Sequence, residues 1–431
     1  MFRRWLAVFV LLSAACSDTT GSLPPPPETA PTVDLSVGFG DPPVTGVVEV
    51  RRQDPSDPWS FSVDLDANGS VDAAGQVGNG ADVPFEFTTP GIHRVRVELS
   101  LGGQRFQTER LVIVNDLAAS EVVRTVAIPP RDEPEPSLEG IAIGQGSTGL
   151  ELYVAMAFAK RVFRLDPVTL EVQAEISLAS ENLNTLEGMD LDPAGEALYV
   201  VSKSHRLITL TAPDLTVESI LPVDGAAFTV HAMSLGVALT GGEGSISIVD
   251  TREGTILNSR LILGAVNFAV ASDETALALI LRPDDGPRFI RFLRVPEFTD
   301  IGTTVLPLGF EPSVLSFEPS GELLYVLGGT SESAQFIAID AASLQIVFEQ
   351  PLEGPPGAFR LTIANAHATS LDGRFVVFPS LHGAYVVDTS VDLPLLRIPL
   401  GCCNVAASPT TNEFYFANFL PPEVSIVGLT R

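Results

Sequence analysis

The sequence predicts an all-β chain in which a small β-sandwich precedes a seven-bladed β-propeller, and three observations predict it. The first is punctuation: 36 Gly and 34 Pro among 431 residues interrupt the chain too often for long helices and suit short strands joined by turns. The second is a recurring unit. Residues 186–200 read LEGMDLDPAGEALYV, 138–154 read LEGIAIGQGSTGLELYV and 312–326 read PSVLSFEPSGELLYV, each an apolar run, a turn and a second apolar run. The third is a period. A later strand and its turn recur at Asp166, Thr211, Asp250, Val295, Asp340, Asp388 and Gly428, at intervals of 39 to 48 residues, the length of a four-stranded blade.

Residues 1–16, MFRRWLAVFVLLSAAC, place Arg3 and Arg4 before an apolar run from Trp5 to Leu12 and close on small residues ending at Cys16. That order marks a secretory signal, too short to span a bilayer, and the chain is expected to be exported. Ser13-Ala14-Ala15-Cys16 resembles the lipobox of bacterial lipoproteins, whose cysteine is diacylated and becomes the new N-terminus. The usual Leu stands one place early, at Leu12, and an ordinary cleaved signal is the alternative. Ser17 after the cysteine resembles lipoproteins sorted to the outer membrane, which implies a cell-envelope protein touching the membrane through its lipid alone. Residues 17–31, SDTTGSLPPPPETAP, read as an extended tether of ~3.1 Å per residue.

Residues 32–116 carry strand patterns at TVDLSV, WSFSVDLD, VPFEFTT, HRVRVELS and RFQTERLVIV. The last two alternate charged and apolar residues across Gly102-Gly103, a hairpin signal. FSVDLDANGSVD followed by FEFTTPGIHRVRVELS resembles a PKD-type, Ig-like domain, which implies a sandwich of about 85 residues. Its DLDANGSVD segment sets Asp64, Asp66, Asn68 and Asp72 around Gly69, the alternation by which a loop aims oxygens at a hard cation such as Ca2+. The twelfth position, where an EF-type loop needs Glu, is Gly75. The competing reading is an Asx turn whose side chains cap their own backbone.

Residues 117–431 hold the repeat. A whole unit shows in 186–223: EGMDLD, a Pro-Ala-Gly turn, EALYVVSK, then RLITLTA, Pro-Asp and LTVESILPV. Six further copies of the third strand and its turn make seven blades, but the last, VSIVGLT, has no fourth strand. EVVRTVAI (121–128) has the length and alternation to supply it and close the ring. The unit resembles the YVTN-type propeller repeats of bacterial surface and periplasmic proteins, with LYVAM, LYVVS and LYVLG at the family's signature and GVALT and ALALI where blades three and four lack the Tyr.

Aligned on the first turn, Glu139, Glu187, Phe228, Asn267, Ser313, Asn365 and Asn404 fall at one position, the start of the innermost strand. That position predicts a ring at one mouth of the channel, where carboxylates and amides bind a cation such as Ca2+, a polyol or ordered water. Some propellers of this sequence style resemble lactonases. That likeness implies, as an alternative to a non-enzymatic role, a metal-dependent hydrolase in which Glu139 or Glu187 is the catalytic base, with Asn267 and Asn404 around the metal.

Other chemistry is excluded. The chain has no Gly-x-Ser-x-Gly, His-Glu-x-x-His, Gly-Lys-Ser/Thr or haem-attachment motif. Its 53 Asp plus Glu against 25 Lys plus Arg give a net charge of −28, which repels nucleic acid. The five His lack a common ligand spacing, and His231 and His367, on or beside inner strands, read as structural. Cys402 and Cys403 are adjacent and exported, so a strained bond between neighbours is weighed against two unmodified thiols. The functional expectation is a monomeric envelope scaffold whose propeller binds a protein, a glycan or a small ligand.

Overall fold

The computed structural model describes residues 31–36, 39–40, 43–51, 59–77, 80–89, 91–114, 118–119, 124–128, 137–146, 149–224, 227–234, 237–242, 244–283, 286–330, 333–352, 367–380, 383–390, 393–398, 400, 404–418 and 422–430. Cys16, tether residues 17–30, Asn365, His382, Cys402 and Cys403 lie outside them. The chain divides into two compact units, Met1–Asp116 and Leu117–Arg431, and no α-helix occurs among the described residues.

The first unit is two sheets. Thr32–Leu35, Val44–Arg51 and Ala81–Phe87 form one, and Phe39–Gly40, Gln104–Val114, Gly91–Leu101, Ser60–Asp64 and Ala73–Gln76, in that spatial order, form the other. Alternate residues of both sheets, including Val48, Val50, Val63, Val95, Val97 and Leu99, are buried with Trp59 in one core. Gly102 and Gly103 take φ of 58° and 85° at the hairpin tip, which L side chains resist. Val44–Arg51 and Ala73–Gln76 carry weaker patterns and are additional to the strands read from sequence.

Among the described residues the second unit holds seven antiparallel sheets, six of four strands ordered consecutively along the chain and a seventh of five. Their blades span 138–177, 186–222, 229–262, 265–305, 311–352 and 368–398, and the seventh spans 404–430. The first strands of neighbouring blades lie against one another, so they are the innermost. Second strands such as Ala197–Ser202, Leu323–Gly329 and Phe375–Ser380 are buried on both faces, which is why LYV runs show no alternation. Fourth strands face solvent.

Apolar clusters fill the gaps between successive blades, for example Tyr153, Leu186, Met189, Val200 and Leu210 between the first two. Two of the tyrosines in second strands latch one blade to the next, whereas Tyr153 donates to Glu151 of its own strand. Tyr199 Oη hydrogen-bonds Thr251 Oγ1 at 3.0 Å, and Tyr415 Oη donates to the Pro167 carbonyl at 3.2 Å. Both partners lie in the turn between the third and fourth strands of the following blade. The Asp before that turn holds it closed: Asp166 Oδ1 accepts from the Val168 and Thr169 amides at 2.9 and 2.7 Å, and Asp250 Oδ1 from Arg252 and Glu253 at 3.0 and 2.9 Å.

Closure occurs where the sequence predicts it. Arg124–Ala127 pairs antiparallel with Glu423–Thr430, Val126 opposite Val424, and completes the seventh sheet. Ala118–Ala119 pairs with Leu429 and Thr430 farther along the same strand. Ile128, fully buried, packs into the cluster joining the seventh blade to the first.

Candidate functional site

The aligned ring position coincides with irregularities in the inner strands. The ladder between first and second strands shifts register between Leu138 and Gly140, Leu186 and Met189, Ala265 and Asn267, and Pro312 and Val314. Glu139, Glu187, Asn267 and Ser313 therefore stand at or beside bulges, which turn a side chain away from the regular pleat. Asn404 opens its strand and Phe228 immediately precedes Thr229–Met233. Gly140 follows Glu139 because the inner strands approach closely there: a Cβ on it would lie 3.0 Å from the Glu187 carbonyl oxygen.

The ring positions separate into groups. Asn267 Nδ2 donates to the Ser313 carbonyl at 3.3 Å, and its Oδ1 accepts from the Phe268 amide at 2.8 Å, so this amide staples the fourth blade to the fifth. Asn404 Nδ2 donates to the Glu139 carbonyl, stapling the seventh to the first. Among the described residues its Oδ1 is buried without a hydrogen-bond partner. The Phe228 carbonyl accepts from the Gly188 amide at 3.0 Å.

Glu139 and Glu187, 4% and 1% exposed, bring two carboxyl groups together where the first two blades meet. Burial, then the Glu187 charge, raises Glu139 to about 8 from 4.5, against the smaller pull of Lys203 and Ser137. Burial beside a second carboxyl therefore favours the protonated form of Glu139. Glu187 Oε1 accepts from Thr185 Oγ1 at 2.7 Å and is 3.0 Å from Lys203 Nζ. Lys203 is about half exposed and lies 5.4 Å from the centre of the Phe228 ring. The floor is thus a pair of carboxyl groups, roofed by an ammonium and an aromatic face. Thr185 and Lys203 are absent from the sequence reading because they flank the repeat, Lys203 just past a second strand and Thr185 just before a first.

A second polar level lies three residues further along the inner strands. Asp190 Oδ2 is 3.5 Å from His231 Nδ1 and accepts from the Ala232 amide at 2.8 Å.

In the first unit, carboxylate oxygens of Asp64, Asp66 and Asp72 lie within 4.8 Å of one another. They already accept backbone hydrogen bonds: Asp64 Oδ1 and Oδ2 from Asn68 and Gly69 at 3.1 and 2.8 Å, Asp66 Oδ1 from Asn68 at 3.2 Å, and Asp72 Oδ2 from Leu65 at 2.7 Å. The Asn68 side chain joins the same network through Asp66 and Ser70. The geometry is that of an Asx-rich turn.

No known protein-family profile matches the chain, and no curated protein matches it in sequence. Solved structures do match: Kuenenia stuttgartiensis hydrazine synthase superposes with a TM-score of 0.60 at 15% identity, covering 70% of this chain and 98% of that one. Identity that low speaks for architecture and not for chemistry. By its sheets and by this likeness, the chain contains a β-propeller.

Proposed function

We propose that this chain is an exported, lipid-anchored binding module of the cell envelope, and that its channel mouth takes the end of a neutral polyhydroxylated ligand such as a glycan. The observation that carries the reading is Lys203 Nζ 3.0 Å from Glu187 Oε1, beside Glu139. An ammonium already occupies the place a hard cation would take. The mouth offers donors from Lys203, acceptors in Glu187 and the Thr185 hydroxyl oxygen, and an aromatic face in Phe228. Hydroxyl-rich rings use such a set, their C–H faces on the aromatic and their hydroxyls on the charged groups. The partnerless Asn404 Oδ1 asks for a further donor. The signal and lipobox of residues 1–16 support export and anchoring.

The test is calorimetric titration of the purified protein with a panel of neutral oligosaccharides and, separately, CaCl2. One sugar class is expected to bind, about tenfold or more weakly in Lys203→Met and Glu187→Gln. If no sugar binds, or Lys203→Met leaves binding unchanged, the reading fails.

One observation favours a second reading, a hydrolase. Burial favours the proton on Glu139 beside Glu187, the state a general acid requires. The lactonase-like form needs a divalent metal among Glu139, Glu187, Asn267 and Asn404, yet Asn267 is committed to blade stapling. Lactone turnover that disappears both on chelation and in Glu187→Gln would favour this reading over binding.

A further inference from the structure

Among the described residues, exposed large apolar side chains concentrate on two neighbouring blades, the third and the fourth. Leu257, Leu261 and Leu263 belong to the outer strand Thr255–Ile262 or its exit, and Ile301, Val305 and Leu308 to the outer strand Thr299–Val305 or its exit. Exposure reaches 73% at Leu261, 79% at Leu263, 61% at Val305 and 96% at Leu308, so these side chains add little to the cores of their own blades. One apolar residue on a surface is ordinary, whereas a cluster marks a surface that meets something.

The two strands are held side by side. Asn258 Nδ2 donates to the Pro296 carbonyl at 2.8 Å, and Arg260 donates to the Phe298 carbonyl and to Asp300 Oδ2, the latter at 3.0 Å. Third and fourth blade therefore present one continuous rim. Arg260 and Asp300 are also the only charged residues of these two strands, and they are spent on each other. Other outer strands carry the usual guards against edge pairing: Glu175 in Val172–Ser177, Pro222 in Thr216–Pro222, Pro351 in Ile346–Leu352 and Pro394 in Leu393–Ile398. The ladder bulge between Ile248 and Val249 lies opposite the start of Thr255–Ile262 and leaves residues 258–262 in regular register.

We propose that this rim is the contact through which two copies of the chain associate, edge strand against edge strand about a two-fold axis. Three properties select a second copy over other occupants. Thr255–Ile262 is outermost in its sheet, and such a strand turns alternate backbone amides and carbonyls away from the ladder; lipid cannot satisfy them, whereas an added strand can. Antiparallel pairing of this strand with its own copy is self-complementary, as a two-fold contact requires. In a chain of net charge −28, a rim whose charges cancel offers nothing to steer an oppositely charged partner and the least repulsion to an identical one.

The experiment is sedimentation velocity on the purified full chain carrying Cys16→Ser, which takes no lipid, from about 1 to about 50 µM in about 30 and about 300 mM NaCl. A dimer is expected at the upper concentrations, tighter in the higher salt because screening relieves the repulsion between acidic copies. Leu261→Lys, which brings like charges together across the pairing, should weaken association at least ~tenfold, and Val217→Lys, on the outer strand of the second blade, should leave it unchanged. Both side chains are exposed, so each variant should melt as the unsubstituted chain does; if Leu261→Lys does not, Leu257→Lys decides. A chain that stays monomeric overturns the proposal, as does a dimer that survives the Lys variants of the rim, is lost equally in Val217→Lys or weakens as salt rises. A monomer that instead floats with phosphatidylcholine vesicles assigns the rim to lipid and overturns it too.

Discussion

Glu139 ties the stability of the ring to pH. A carboxyl whose folded value is raised holds more protons folded than unfolded between about 4.5 and about 8, so stability falls as pH rises through that window, by roughly 1 kcal/mol per unit. His367, lowered to about 4 from 6.5, works oppositely and adds stability as pH rises from about 4 to 6.5. Above 6.5 the Glu139 effect stands free of His367, while His231, whose value is raised, loses stability in the same direction. Thermal melts from pH 6.5 to 8 should therefore decline for the unsubstituted chain, less steeply for Glu139→Gln; an unchanged slope in that variant would contradict the assignment. Leu215 poses a different contest. It is 2% exposed with φ of 53°, and a left-handed backbone costs about 1–2 kcal/mol, whereas burying Leu gains about 1.5–3 kcal/mol. Packing wins, so Leu215→Ala, which loses the contact and keeps the strain, should lose about 2–4 kcal/mol in chemical denaturation, at least as much as Leu215→Gly. The position of Glu139 and Glu187 was legible because repeats align. Their meeting with Lys203 and Thr185 was not, since no pattern within one blade reports how far the next strand leans over it.

At the level of the strand, the pairing of 124–127 with 423–430 was foreseeable from one missing strand and one spare segment. The bulges behind the ring were not: a register shift leaves no composition of its own when Glu-Gly, Asn-Phe and Pro-Ser all serve. The LYVVS run announced a buried strand but concealed the task of Tyr199, because the hydroxyl's partner belongs to the following blade. Tyr199→Phe removes only the hydrogen bond to Thr251 and should cost about 1 kcal/mol, with the fold unchanged by circular dichroism. Ile128 lies outside the repeat and is fully buried between the first and seventh blades. Ile128→Ala should cost about 2–5 kcal/mol in denaturant midpoint, and a loss near zero would mean that the closing segment contributes little.

For the molecule as a whole, the net charge of −28 repels itself at low ionic strength. Adding NaCl from about 10 to about 200 mM, which shortens the Debye length from ~30 Å to under 10 Å, should raise the melting temperature; a fall would mean that ion pairs such as Arg291 with Asp300, 2.6 Å apart, outweigh the general repulsion. Blade number and the two-unit division followed from period and composition, while the channel's polar lining had to be seen in three dimensions, since Asp190 and His231 stand on different blades and meet only once those blades pack together. The way the ring shuts also sets a clock. Val126 waits for Val424, made roughly 300 residues later, and contacts so distant in sequence form slowly. Six blades emerge from the ribosome before any of them has a closed circle to belong to. A chain that folded as it was made would stand as an open arc with two bare flanks, so the strand that meets Val126 decides when this protein stops being a hazard to itself and becomes a ring.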